Sequence, residues 1–142
     1  MIVSGGTCLS NHKVHFSSIR QNWRTPKRFY EELDKEFHFD FDPCPGGVVT
    51  WENGGLNIEW GKVSFCNPPY SDIARWVAKA WREAEKGKTV VLLIPSRTDT
   101  AWWHDFVGQA SEVRFIRGRL KFEKPGLKSD AAPFPSAIVI FR

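Results

Sequence analysis

Long hydrophobic runs are missing from this sequence, as are the marks of an exported or disulfide-bonded protein. No apolar stretch approaches the roughly 20 residues that a membrane span needs. The N-terminus shows no basic segment followed by an apolar one, so we expect no signal peptide. The only cysteines are Cys8, Cys44 and Cys66, and an odd, widely spaced set does not indicate a disulfide framework. We therefore expect a protein of a reducing cytoplasm.

A metal site is not indicated either. Cys8, His12 and His15 lie near one another, but a zinc site would need a fourth ligand from elsewhere in the chain. Residues 1–18 contain Gly, Ser, Asn and His without a clear period, and we interpret them as a flexible N-terminal arm. We expect residues 19–142 to form a single domain, because a chain with 42% hydrophobic and 25% charged residues fits an ordinary soluble domain.

Tryptophan is abundant for this length, with seven residues in 142. We expect most of them in the core and some in a binding site, since Trp is common where flat ligands or partners bind. The net charge of +4 and the isoelectric point of about 9.1 are mildly basic. Such a charge permits a polyanionic partner without requiring one.

Apolar periodicity predicts strands that alternate with helices along most of the chain. The predicted helices cover residues 26–37, 71–87 and 100–110, with N-caps at Thr25, at Ser71 and at Asp99 or Thr100. The predicted strands cover residues 37–42, 62–66, 89–94, 112–117 and 136–141, and residues 48–51 form a short strand or a buried turn. This order is typical of an α/β protein with a mainly parallel sheet and helices on both faces.

Two proline-rich loops follow predicted strands. One follows Asp42 and begins Pro43-Cys44, and the other follows Cys66 and begins Asn67-Pro68-Pro69-Tyr70. In open parallel sheets, ligands bind beyond the carboxyl ends of the strands. We therefore expect these two loops to form the functional site.

The second loop is suited to a planar molecule that carries an amino group. Pro68 and Pro69 fix the backbone and lack N–H groups, so a carbonyl of this segment and the side-chain oxygen of Asn67 can both point outward as acceptors. Tyr70 adds a flat ring beside them. Adenine is the first candidate for such a ligand and cytosine the second, and a simple turn that ends the strand is the alternative interpretation.

A set of stretches in fixed order carries a resemblance to a known family. These stretches are Asn22-Trp23-Arg24-Thr25-Pro26, Phe41-Asp42-Pro43-Cys44, Phe65-Cys66-Asn67-Pro68-Pro69-Tyr70-Ser71, Leu93-Ile94-Pro95-Ser96-Arg97-Thr98-Asp99-Thr100, Gly118-Arg119-Leu120-Lys121-Phe122 and Ala132-Pro133-Phe134-Pro135-Ser136. The Asn-Pro-Pro-Tyr tetrad resembles the catalytic motif of amino-methylating, S-adenosylmethionine-dependent DNA methyltransferases. Over about residues 20–142 the chain resembles the small phage and prophage DNA N6-adenine methyltransferases, the phage Dam-type family.

The resemblance implies a small, trimmed Rossmann-like methyltransferase fold, with S-adenosylmethionine as cofactor and DNA as partner, in the cytoplasm of a bacterial or phage-infected cell. It leaves a homodimer open. It also implies that a flipped adenine stacks on Tyr70, while Asn67 and the Pro68 carbonyl accept hydrogen bonds from N6 and Pro69 completes the catalytic set. The implied cofactor-binding residues are Trp23, Thr25, Pro26, Asp42, Pro43 and Cys44. The candidate DNA-binding residues are Arg97, Arg119 and Lys121.

The chain departs from the usual methyltransferase pattern. The loop from Pro43 to Gly47 matches the usual glycine motif only in part. About two dozen residues separate Asp42 from Asn67, which leaves little room for strands that bind the ribose and adenine of the cofactor. We expect no separate target-recognition domain, so low sequence specificity or help from a second subunit would follow.

Several alternatives stay open. A cytosine-N4 methyltransferase would use the same tetrad, and an inactive nucleic-acid-binding module would keep the fold without the reaction. Cys44 with Glu52-Asn53 resembles in part the nucleophile and acid of cytosine-C5 methyltransferases, but these segments lie too close together, and we interpret Cys44 as a small loop residue. Asp42 also suits an Asx-turn with the loop that follows it.

Overall fold

The structure is a computed structural model that describes residues 24–45, 54–123 and 131–142. The predicted arm at residues 1–18, Trp23 and the predicted strand or turn at residues 48–51 lie outside these ranges. Within them the helices are α1 (Lys27–Phe37), α2 (Ile73–Glu85) and α3 (Ala101–Phe106), and the strands are β1 (Val63–Cys66), β2 (Thr89–Pro95), β3 (Glu112–Phe115) and β4 (Ser136–Phe141). None of the helices in the described ranges has the length and apolar character needed to cross a membrane.

The four strands form one mixed sheet in the order β1-β2-β4-β3. β1 and β2 are parallel, whereas β4 runs antiparallel to both of its neighbours. The prediction of a mainly parallel sheet is therefore wrong. No helix is described between β3 and β4, and a strand that returns beside its predecessor without a crossover is antiparallel to it. β1, β2 and β3 nevertheless run in the same direction, so their carboxyl ends share one edge of the sheet.

The two faces of the sheet bury separate apolar clusters, and β2 contributes to both. Its residues Val90, Leu92 and Ile94 pack on the side of α2 and α3. Val91 and Leu93 point to the opposite side and pack with residues of α1. This alternation follows from the period of two in a strand, and it confirms that helices cover both faces.

The predicted strand at residues 37–42 is almost absent. α1 continues to Phe37, and His38 ends it in a left-handed conformation with φ of 56°. The few residues that remain before Asp42 make one parallel bridge, in which Phe41 pairs with Ser64 of β1. This bridge still brings Asp42 and Asn67 to neighbouring positions at the same edge.

The helix starts agree only in part with the predicted caps. Thr100 caps α3 as predicted, since its hydroxyl accepts a hydrogen bond from the Trp103 N–H at 3.3 Å. Thr25 does not cap α1, because Pro26 takes the N-cap position and the Thr25 hydroxyl bonds elsewhere. Ser71 does not cap α2 either, because it lies inside a short 3₁₀ turn that precedes the helix.

Candidate functional site

A cavity of about 310 Å³ lies at the carboxyl edge of the sheet. It is formed by the start of α1, the turn after Phe41, the end of β1 and the segment after β3. Its lining residues are Arg24, Thr25, Lys27, Tyr30, Asp42, Cys44, Phe65, Asn67 and Glu123. Four of the predicted catalytic and cofactor-binding residues line the cavity: Thr25, Asp42, Cys44 and Asn67. The others that the structure describes lie outside this lining: Pro26, Pro43, Pro68, Pro69 and Tyr70.

Asn67 connects the two predicted halves of the site. Its side chain is 5% exposed, directly after β1, and its Nδ2 donates a hydrogen bond to Thr25 Oγ1 at 3.3 Å. In this orientation of the amide, the acceptor Oδ1 is directed away from Thr25. The buried Pro68 and Pro69 follow and hold the chain extended.

Tyr70 lies on the α1 side of the sheet, in an aromatic cluster. Its ring packs edge-to-face on Phe134, with centroids 5.0 Å apart, and on Phe122, with centroids 6.3 Å apart. Burial raises the pKa of the Tyr70 phenol, so the group is a neutral hydroxyl at any ordinary pH. These two phenylalanines, like Tyr70 itself, lie outside the cavity lining.

Asp42 is both an Asx-turn residue and part of the cavity wall. Its Oδ1 accepts a hydrogen bond from the Cys44 backbone N–H at 2.8 Å, which is the predicted Asx-turn. Burial raises the pKa of Asp42 from 3.8 to about 6, although the Cys44 bond opposes this change. The turn and a ligand role are compatible, because a carboxylate has a second oxygen and further acceptor sites.

Cys44 is an inert thiol. It is 1% exposed, and burial, with a contribution from Asp42, raises its pKa to about 12. A nucleophilic cysteine needs a lowered pKa and some exposure. The structure therefore disagrees with the cytosine-C5 alternative and supports the interpretation of Cys44 as a small loop residue.

Sequence reasoning missed the charged groups at the start of α1. The carboxylate of Glu123 accepts a hydrogen bond from the Lys27 backbone N–H at 2.8 Å. Glu123 also forms an antiparallel bridge with Arg24, which holds it over the cavity. Tyr30 lies one turn into the helix, and burial raises the pKa of its phenol, with smaller contributions from Asp34 and Asp42.

Two predicted DNA-binding residues lie on the outer side of the segment at residues 119–123. Leu120 and Phe122 pack into the core on the α1 face. Alternation then turns Arg119 and Lys121 outward, where both are exposed. They belong to the same segment as Glu123, which lines the cavity.

Arg97 lies further along the same edge. It follows β2 and is exposed. Its backbone carbonyl accepts a hydrogen bond from Thr100 Oγ1 at 2.7 Å, which stabilises the turn that presents the side chain. No ion pair is recorded for Arg97 among the described residues.

The fold is that of an α/β protein with a cavity at the carboxyl edge of its parallel strands, and carboxylate, amide and hydroxyl groups line this cavity. Comparison with known proteins gives the family. The sequence profile described as DNA N-6-adenine-methyltransferase (Dam) matches residues 13–142. The chain therefore belongs to the DNA N-6-adenine-methyltransferase (Dam) family.

Two phage proteins are similar to the chain over much of its length. The DNA N-6-adenine-methyltransferase of Haemophilus phage HP1 (strain HP1c1) is 29% identical over 138 residues, which cover 87% of this chain and 80% of that protein. The DNA N-6-adenine-methyltransferase of Escherichia phage T1 is 26% identical over 113 residues, which cover 72% of this chain and 48% of that protein. The predicted resemblance to this phage enzyme family is confirmed.

Proposed function

We propose that this protein transfers a methyl group from S-adenosylmethionine to N6 of a flipped adenine in DNA, with Asn67, Pro68, Pro69 and Tyr70 at the base and Asp42 at the cofactor. The observation that carries the proposal is the hydrogen bond from Asn67 to Thr25 inside the cavity that Asp42 also lines. This contact places Asn67, which can accept a hydrogen bond from an exocyclic amino group, beside Thr25 and Asp42, which can bind the cofactor.

On the base side, Asn67 accepts a hydrogen bond from the amino group through Oδ1, and the Pro68 carbonyl accepts a second one. Two acceptors localise the lone pair of an aromatic amino nitrogen, which is otherwise delocalised into the ring. The buried prolines and the Thr25 contact hold these acceptors in place before the substrate arrives. Such preorganisation costs no movement at the moment of transfer.

On the cofactor side, the cavity is lined by both acidic and basic residues, which suits a ligand that carries a positive and a negative group. S-adenosylmethionine supplies an electrophilic methyl group when it is bound. Asp42 accepts hydrogen bonds from its ammonium group or its ribose hydroxyls, and the hydroxyl of Thr25 donates to its carboxylate. Arg24 and Lys27 add positive charge at the same wall. The volume of about 310 Å³ lies at the lower end of small-molecule pockets, which span about 300–1,000 Å³.

The DNA contacts follow from the exposed cations near the cavity. Arg119 and Lys121 lie beside the cavity wall and Arg97 lies along the same edge, so phosphates of a bound duplex are within their reach. By contrast, Lys86 and Lys88 form ion pairs with acidic neighbours within the fold. A homodimer would extend this small surface along the DNA. With DNA as substrate, we place the activity in the cytoplasm of a bacterial or phage-infected cell.

The test uses the whole protein, unmethylated DNA and S-adenosylmethionine. Digestion of the product to nucleosides and mass spectrometry should detect N6-methyladenine. Asn67→Ala should reduce methyl transfer by about 10² or more, because it removes an acceptor aimed at the reacting nitrogen. Calorimetry should show its cofactor affinity within about threefold of wild type.

Gln109→Ala is the control, because Gln109 is an exposed amide side chain outside the cavity. It should retain full activity. If the product contained N4-methylcytosine without N6-methyladenine, the choice of base would be wrong. If Asn67→Ala lost cofactor affinity as strongly as turnover, Asn67 would belong to the cofactor site instead.

A further inference from the structure

Residues 54–61, which we name the brace, pack directly behind the turn that carries Asp42. Gly55 in the brace is buried against Pro43. A Cβ placed on Gly55 would meet the Pro43 carbonyl oxygen and would lie 2.7 Å from Pro43 Cβ and 2.9 Å from Trp76. Because no side chain fits in this space, the backbone of the brace supports Pro43 directly.

The other end of the brace contacts the chain just before Asp42. A Cβ on Gly61 would meet Asp40 Oδ1 and would lie 2.7 Å from Phe41 Cβ. The brace therefore touches the chain on both sides of Asp42. Two glycine contacts of this kind leave the Asp42 turn little freedom to move away from the cavity.

Trp60 and a buried carboxylate of α2 hold the brace from its far side. The Trp60 backbone N–H donates to Glu83 Oε1 at 2.9 Å, and its carbonyl accepts from Lys88 Nζ at 2.7 Å. The indole N–H of Trp60 donates to the Gly55 carbonyl at 2.6 Å. A continuous series of hydrogen bonds thus runs from α2 to the glycine that touches Pro43.

Glu83 can act as a fixed anchor because it remains charged. Its side chain is 1% exposed, and it forms ion pairs with Lys79 at 3.0 Å, Lys86 at 2.9 Å and Lys88 at 2.6 Å. Burial alone would raise the pKa of Glu83, but these hydrogen bonds and the Trp60 N–H hold it well below its usual range. Breaking such a buried cluster is costly, so the position of the brace is strongly determined.

We propose that the brace is a positioning element of the cofactor site: Gly55, which Glu83 of α2 anchors through Trp60, sets the place of Asp42 without touching the ligand. This inference rests on the proposed cofactor role of Asp42.

The test compares Gly55→Ala with Gly108→Ala. A Cβ on Gly108 meets nothing within 4 Å, so this variant is a matched control for adding a methyl group. Gly55→Ala should push Pro43 and displace Asp42, and a displacement of this kind weakens binding by about tenfold or more. Calorimetry with S-adenosylmethionine should show this loss, whereas kcat at saturating cofactor should stay within about twofold of wild type.

A second readout does not depend on the cofactor. Carbon-detected NMR titration of the Asp42 carboxyl should show its pKa falling toward 3.8 in Gly55→Ala, because displacement exposes the group to water. The titration should be unchanged in Gly108→Ala. Wild-type protein that bound no S-adenosylmethionine would overturn the proposed function, and this titration would then decide on the brace by itself.

Glu83→Gln provides a second variant if Gly55→Ala does not fold. It keeps the shape and an acceptor for the Trp60 N–H but removes the charge. Its control is Glu85→Gln, since Glu85 is an exposed carboxylate on the same helix and lies outside the brace. Weaker cofactor binding in Glu83→Gln but not in Glu85→Gln supports the proposal. Unchanged affinity and an unchanged Asp42 titration in both the Gly55 and Glu83 variants would overturn it.

Discussion

Replacement of Asp42 by asparagine should stabilise the ligand-free protein and remove cofactor binding. The substitution keeps an oxygen for the Cys44 N–H, which Asp42 accepts at 2.8 Å, and it removes only the charge. Burial raises the pKa of Asp42 from 3.8 to about 6, so the native state resists the ionised form that the unfolded chain readily adopts.

The sign and size of the change in stability follow from the two pKa values of Asp42, 3.8 in the unfolded chain and about 6 in the native protein. Between pH 3.8 and 6 the native protein binds a proton at Asp42 that the unfolded chain has lost, so stability falls as the pH rises through this range. At about 1.4 kcal/mol per pH unit, the ionised carboxylate costs at most about 3 kcal/mol above pH 6. Asp42→Asn should therefore raise the free energy of unfolding by up to about 3 kcal/mol at pH 7 and by almost nothing at pH 3.5.

The same group should make cofactor binding depend on pH. If Asp42 binds S-adenosylmethionine as a carboxylate, about nine-tenths of the protein is competent at pH 7 and about one-tenth at pH 5, so the Kd should rise about tenfold. Calorimetry at several pH values measures this change, and urea unfolding of both proteins measures the stability. Equal affinity for the cofactor in Asp42→Asn and wild type, or a stability difference that does not change with pH, would refute the reasoning.

Two further predictions concern Thr25 in the cavity wall and the exposed cations beside the cavity. Thr25→Val removes the acceptor of the hydrogen bond from Asn67, worth about 0.5–1.5 kcal/mol, so single-turnover methyl transfer should slow by about two- to tenfold, and Thr25→Ser should restore it. Replacing both Arg119 and Lys121 by alanine should weaken DNA binding and lower the slope of log K against log salt by up to about 2, as measured by fluorescence anisotropy. A double variant with an unchanged slope would show that these cations do not contact phosphates.

The strands with long apolar runs were predictable to within one residue. Residues 136–141 match β4, and residues 89–94 match β2 except for Pro95, because turn residues mark both ends of these runs. Strand direction was not predictable in the same way. Whether β4 enters beside β2 from one end or the other depends on pairing between distant segments, which leaves no local period in the sequence.

The residues of the candidate site were likewise predictable only in part. Asp42 and Asn67 were found because each follows a run that reads as a strand, and strand ends meet at one edge. Glu123 was missed because its partner, the Lys27 N–H, is 96 residues away. Thr25 was predicted as a helix cap from its residue type. A threonine hydroxyl can bond to several kinds of partner, however, and only the fold shows that Thr25 bonds to Asn67.

The contact between Asn67 and Thr25 also implies that base and cofactor bind cooperatively. A threonine hydroxyl can accept from the amide of Asn67 and donate to a carboxylate at the same time. Hydrogen bonds in such a series polarise one another, so a cofactor carboxylate at Thr25 should hold the Asn67 amide more firmly in the orientation that suits an amino group. Coupling between binding sites is reciprocal, so DNA that fills the base site should tighten cofactor binding by the same factor. Loss of this mutual effect in Thr25→Val, with each ligand still bound alone, would identify the hydroxyl as the link between the two halves of the site.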